Sequence, residues 1–243
     1  MQGRAIDIIE IISMSEQGFQ QPFLCRAEND YEYYVKGRQT NRASLWCEWI
    51  CAHLGTAFGL PIPAFKALNV ADELIQESPT AFKKLGVGTA FGSQKNGTAA
   101  WLEPNMVHQV PTKMQQDVLV FDLWVHNTDR TPGNSNLLWD MEAKALVVID
   151  HNLAFDKDFS PQSFIDRHIF GHQWEKLHTD LVERAHYEAR LHTAMVASTP
   201  AFYNAPPDWQ WENPECDIPA RFDPIATLQL LARCSTPELW RTV

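Results

Sequence analysis

The chain has 243 residues, 45% hydrophobic and 21% charged, which gives enough apolar surface for a sizeable core in one large domain or two small ones. Against 20 Lys and Arg stand 30 Asp and Glu, a net charge of −10 that repels a phosphate backbone and an anionic bilayer, so no nucleic acid and no stable membrane association are expected. No run reaches the roughly 18 apolar residues of a spanning helix, and Asp7 and Glu10 interrupt the N-terminal stretch where an export signal would be apolar, so a cytoplasmic location is expected.

Three β-type runs, residues 5–13, 21–27 and 31–36, follow one another and predict an antiparallel meander. Glu28, Asn29 and Asp30 form a tight turn between the second and third, because Asn and Asp tolerate left-handed backbone angles. The first link, 14–20, is longer and holds Gly18. Over 41–58, Leu45, Trp49, Ala52 and Leu54 recur with a helical period, and Gly59, Pro61 and Pro63 end that helix. A further strand is expected over 64–70, a polar loop over 94–97 and a lobe boundary near 101–104. Residues 112–126 read as a helix buried on most sides, its apolar run 118–125 interrupted only by Asp122. Residues 137–139 and 145–149 predict a hairpin, 164–197 a long helical segment, 200–224 an irregular surface excursion and 224–234 a short helix.

The stretch H-N-T-D-R-T-P-G-N-S-N-L-L (126–138), followed by V-V-I-D-H-N-L-A-F (147–155), places two acids and an amide on loops after a buried helix and an apolar strand. Phosphoryl transfer needs a carboxylate to orient the attacking hydroxyl, oxygen ligands for Mg²⁺ and a cation on the phosphates that are not transferred. Asp129 and Asn134 have the D-x-x-x-x-N spacing of a kinase catalytic loop, and Asp150 leaves its strand 21 residues after Asp129. One carboxylate and one amide suffice for Mg²⁺, which keeps waters and borrows phosphate oxygens. Upstream, Lys36 closes the third strand and Glu48 lies 12 residues on, within the first helix. In a kinase that lysine reaches the α and β phosphates and the glutamate holds it by an ion pair.

The run N-T-D-R-x-x-x-N-x-L-L with V-I-D-H-N-L-A-F resembles the bacterial HipA-like kinases. Q-P-F-L-C-R-A-E-N-D-Y-E-Y-Y-V-K and L-G-x-x-F-G-L-P-I-P resemble the shorter branch of that family, and the likeness covers roughly residues 5–160. T-D-R-x-x-x-N-x-L and I-D-x-x-L-A-F are also similar to the type II phosphatidylinositol 4-kinases. The resemblance implies an α+β, bilobal protein-kinase-like fold, with a small antiparallel β-rich N-lobe over 1–104 and a mainly helical C-lobe over 105–243. It implies an ATP- and Mg²⁺-dependent phosphotransferase acting on a hydroxyl, a Ser or Thr of a protein substrate. Asp129 is then the base, Asn134 and Asp150 the Mg²⁺ ligands, Lys36 the phosphate-binding lysine and Glu48 its partner. A lipid kinase using the same residues and a nucleotide-binding pseudokinase acting as an interaction module are the alternatives. The sequence departs from the eukaryotic kinases in lacking a G-x-G-x-x-G loop, so backbone N–H groups or the hydroxyls of Ser13 and Ser15 would cradle phosphate, and no A-P-E segment follows Asp150. No antitoxin partner carries over from the longer HipA-like toxins.

Arg130 either binds a phosphate or braces its loop on a neighbouring carboxylate; bracing is favoured, because a side chain next to a catalytic Asp in an extended loop points away from it. Asn136 and His151 flank the proposed ligands as supporting residues. His168, His172, His178, His186 and His192 lack an H-E-x-x-H pattern and read as polar surface residues. The five cysteines form no C-x-x-C pair and read as small core residues of a reducing compartment. Trp46, Trp49, Trp124 and Trp139 fall on packed elements, whereas Trp209 and Trp211, beside Asp208, Glu212 and Glu215, could form an exposed pair that receives a partner.

Overall fold

The structure, a computed structural model, describes residues 5–15 and 21–241; most of the link that holds Gly18 lies outside them. Two compact units interleave along the chain. One comprises the described residues up to 49 with 63–96 and 203–222, and the other comprises 50–62, 97–202 and the described residues from 223. Where the sequence reading drew one boundary near 104, the chain passes from unit to unit several times.

In the first unit, strands β1 (Ile6–Met14), β2 (Phe23–Ala27) and β3 (Glu32–Lys36) form the expected antiparallel meander. Asp30, at φ 65°, makes the tight turn between β2 and β3. Helix α1 (Arg42–Phe58) follows, then β4 (Phe65–Val70), a short α2 (Asp72–Glu77) and β5 (Gly88–Gln94). The strands close into a barrel in the order β1-β2-β3-β5-β4, with β1 and β4 parallel through Ile6 opposite Leu68. Closure was not expected from the sequence; two register shifts in β1, at Ile8/Glu10 and Ile11/Ser13, supply the bend. Ile8, Phe23, Cys25, Val35, Leu68 and Ala90 belong to the core of this unit, where burial pushes the Cys25 thiol up to about 12. Gly92 on β5 is required there, since a Cβ would run into the Leu68 side chain.

Helix α1 starts where Asn41 Oδ1 accepts the Ser44 N–H at 2.7 Å. It ends at Gly59, φ 96°, with Leu60 N–H donating to Gly55 O at 2.8 Å and Gly59 N–H to Thr56 O at 3.1 Å. The excursion expected over 200–224 is irregular and mostly exposed over 212–223, but its first half is anchored inside the protein. Trp209 is fully buried and donates its Nε1–H to Thr89 O at 2.8 Å, while Trp211 is half-buried. The reading of an exposed aromatic pair is therefore corrected: Trp209 fills the core of the β-rich unit.

In the second unit, α3 (Thr112–Trp124) is the buried helix expected, every residue from Gln115 to Trp124 being enclosed. β7 (Leu137–Asp140) and β8 (Ala145–Val148) form the expected hairpin, to which β6 (Ala100–Trp101) adds a third antiparallel strand. The long helix expected over 164–197 is instead α4 (Pro161–Arg167), a 3₁₀ turn, α5 (Trp174–Thr179) and α6 (Leu181–Met195). Two residues impose the breaks. A Cβ at Gly171 would strike Ile165 O, and Asp180 Oδ1 accepts the Val182 and Glu183 N–H groups at 3.0 Å each, restarting the helix in a new direction. Tyr187 and Arg190 of α6 bond Asp117 of α3 at 2.8 and 2.6 Å. Helices α7 (Ser198–Asn204) and α8 (Pro224–Leu231) complete the chain. Cys25, Cys47, Cys51 and Cys234 are buried as expected, but Cys216 is exposed. Among the described residues no helix is long and apolar enough to cross a membrane.

Candidate active site

The site in the second unit is built from the end of α3. His126 takes a left-handed backbone, φ 52°, and Asn127 N–H donates to Asp122 O at 2.9 Å, which ends the helix and sends the chain outward. Asp122 itself is fully enclosed. Its carboxylate gathers Asn127 Nδ2 at 2.9 Å, Arg130 Nε at 2.6 Å and His168 Nε2 at 3.0 Å. Burial pushes the carboxyl up, but the charge of Arg130 and the bond from His168 outweigh it and hold Asp122 well below the usual carboxylate range. His168 Nδ1 accepts the Phe170 N–H at 3.0 Å, so the proton of the neutral ring sits on Nε2, facing Asp122. Burial holds the His168 pKa down against the pull of that carboxylate. His168 is thus a locked core residue, which corrects its reading as a surface histidine.

Arg130 braces the loop from within. Its Nη1 reaches Asn136 O at 2.6 Å, Ser135 O at 3.2 Å and Ile149 O at 3.3 Å, and its Nη2 lies 3.2 Å from His151 Nε2. Asp129, next in the chain, is left at the partly exposed side. Thr131 and Asn134 exchange backbone bonds of 2.9 and 3.1 Å around Pro132-Gly133, and this fold-back turns a five-residue spacing into a contact. Asp129 Oδ2 accepts from Asn134 Nδ2 and from Asn136 Nδ2, both at 2.9 Å. Among the described residues no hydrogen bond reaches Asp129 Oδ1.

Asp150 follows β8 with φ 59°, and Ile149 N–H donates to Asn136 O at 3.2 Å, so the strand end and the loop that carries Asp129 share one backbone frame. The next turn is pinned by Ala154 N–H to His151 O at 3.0 Å and by Phe155 N–H to Val125 O at 2.7 Å. Asn134 donates its amide N–H₂ to a carboxylate that can only accept, which leaves Asn134 Oδ1 as its acceptor atom. The Asp150 carboxylate is likewise an oxygen donor, and oxygen donors are the type that fits a hard cation such as Mg²⁺. Among the described residues no group of three or more His, Cys, Asp or Glu could hold a metal ion.

In the first unit Lys36 ends β3 opposite Phe91 and lies buried, its Nζ 2.5 Å from Glu48 Oε1 on α1. Ser13 is exposed on β1 opposite Leu24; Ser15 is half-buried and its N–H is committed to Pro22 O at 2.9 Å. The structure therefore joins Lys36 with Glu48 and Asp129 with Asn134, and sets Asp150 on the frame that Arg130 holds. Sequence reasoning missed Asp122 and His168 as the anchor of that frame. The available signal was the one charged residue in the 118–125 run, because a carboxylate enclosed in an apolar helix requires bonded partners.

A family model described as HipA-like kinase matches residues 8–243. Among solved structures, the chain is similar to a Helicobacter pylori proinflammatory kinase, CtkA, with a TM-score of 0.52 over 98% of both chains at 10% identity, a likeness of fold. The sequence matches none of the curated proteins with which it was compared. Matched over nearly its whole length by that family model, with an α+β fold shared with a solved kinase, the chain belongs to the HipA-like kinases and is a phosphotransferase.

Proposed function

We propose that the protein transfers the γ-phosphate of ATP, with Mg²⁺, to a Ser or Thr hydroxyl of a cytoplasmic protein substrate, its two units serving as the lobes of a bilobal kinase. One observation carries this reading: Asp129 Oδ2 is clamped by two amide donors while Oδ1 receives no hydrogen bond from the described residues. A carboxylate so held cannot rotate away, and Oδ1 is the atom to orient an acceptor hydroxyl and take up its proton. Asn134 Oδ1 and the Asp150 carboxylate would hold Mg²⁺, with Arg130 keeping the backbone beside both in place. When bound, the ion neutralises charge on the phosphate oxygens. Lys36, kept extended by Glu48, would fix the α and β phosphates, with the Ser13 and Ser15 hydroxyls as further phosphate donors.

The test is transfer from γ-labelled ATP into a cell extract, followed by separation of protein from lipid. Label is expected in protein with the wild type, and Asp129→Asn should lower it by roughly 10² to 10⁴ while the unfolding midpoint stays put. Label confined to lipid would replace the protein acceptor with a lipid one. Equal labelling by wild type and Asp129→Asn would remove Asp129 from the chemistry.

A further inference from the structure

We propose that the segment 203–222 is a positioning strap for the Lys36–Glu48 ion pair, holding α1 at the rotation that keeps Glu48 on the lysine. The proposal rests on the reading of Lys36 as the phosphate-binding lysine.

The strap grips α1 at Arg42, Trp46 and Trp49, positions four and seven residues apart that share one face of a helix. Trp209 is enclosed edge-on between two of them, its ring centroid 6.4 Å from Trp46 and 5.9 Å from Trp49. Its backbone O accepts the Trp46 Nε1–H at 3.0 Å, and Phe222 stacks on the Trp46 ring at 5.0 Å. At the start of the helix, Arg42 donates from Nε to Trp211 O at 3.2 Å and from its backbone N–H to Glu212 Oε2 at 3.4 Å. Arg38, two residues beyond Lys36, donates to Glu212 O at 2.9 Å. Asp208 Oδ2 accepts the Thr89 N–H at 3.1 Å and so fixes the strap to β5 as well.

Glu48 is not on the gripped face. One residue of a helix corresponds to about 100° of rotation, so slippage of α1 by a single residue would carry the Glu48 carboxylate away from Lys36. Hydrogen bonds and ring contacts at Arg42, Trp46 and Trp49 fix that rotation on both sides of Glu48, and Arg38 fixes the chain that leaves Lys36. Packing alone could be supplied by any apolar side chain. Directional bonds to Trp209 O, Trp211 O and the Glu212 carboxylate set a phase.

The experiment is a double-substitution cycle read by calorimetric binding of Mg·ATP and, separately, of adenosine, which lacks the phosphates. Lys36→Met should weaken Mg·ATP and spare adenosine. Trp209→Ala should weaken Mg·ATP by about tenfold, within the usual range of couplings between linked residues, and also spare adenosine. In the Lys36→Met background the same substitution should add no further loss. An equal loss in both backgrounds, or an equal loss of adenosine, would reduce the strap to packing and overturn the proposal. Wild-type Mg·ATP affinity in Lys36→Met would instead overturn the lysine assignment, and the strap's role with it. Should Trp209→Ala fail to fold, Asp208→Ala, at a side chain 32% exposed, replaces it in the same cycle with the same expectations.

Discussion

Arg130 and Asp122 form a fully enclosed pair, and each owes its tolerance of burial to the other. Replacing Asp122 by Ala leaves the guanidinium buried without its counter-charge, so unfolding free energy should fall by about 3 to 5 kcal/mol, measured by urea titration. His126 gives the pH counterpart. Burial, aided by Arg233, pushes its imidazole down to about 4. Between that value and the ordinary histidine range the unfolded chain binds more protons than the folded one, so stability is full above that range and declines as pH falls through it. Urea midpoints at about pH 7 and about pH 5 should therefore converge in His126→Gln relative to the wild type. The Lys36–Glu48 and Asp129–Asn134 contacts were legible because kinase chemistry prescribes those residue types at a recognisable order and spacing. His168 was not, since its partner lies 46 residues upstream and nothing in its own neighbourhood marks it.

The meander, α1, α3 and the β7–β8 hairpin were all legible, because each carries its own signal: alternation, a helical period with Asn41 and Gly59 at its ends, or an unbroken apolar run. Within the long helical segment expected over 164–197, the restart at α6 went unread because the apolar spacing survives the break. The missed signal was Asp180, whose carboxylate caps α6 with Glu183 three residues on, the pattern of a capped helix start. Asp180→Ala should cost about 0.5 to 2 kcal/mol and leave phosphate transfer unchanged at temperatures where the protein is folded. β6 escaped notice because two residues carry no periodicity; only the edge of β7 makes them a strand.

At the scale of the whole molecule, the α+β class followed from the resemblance to the HipA-like kinases, but closure of the barrel did not. It depends on a parallel pairing of Ile6 with Leu68, and strand alternation says nothing about which distant strand will pair. Nor did composition disclose that the Pro- and Trp-rich stretch belongs to the β-rich unit. That return has a consequence for how the chain is made. Trp46 emerges from the ribosome 163 residues before Trp209, an interval on the order of ten to thirty seconds of synthesis. From the synthesis of β5, which ends at Gln94, the first unit has its strands but lacks the piece that covers α1, so the nascent protein exposes Trp46 and Trp49 to solvent or to a chaperone. The strap proposed to set the lysine is thus translated long after Lys36 and Glu48, the pair it would position.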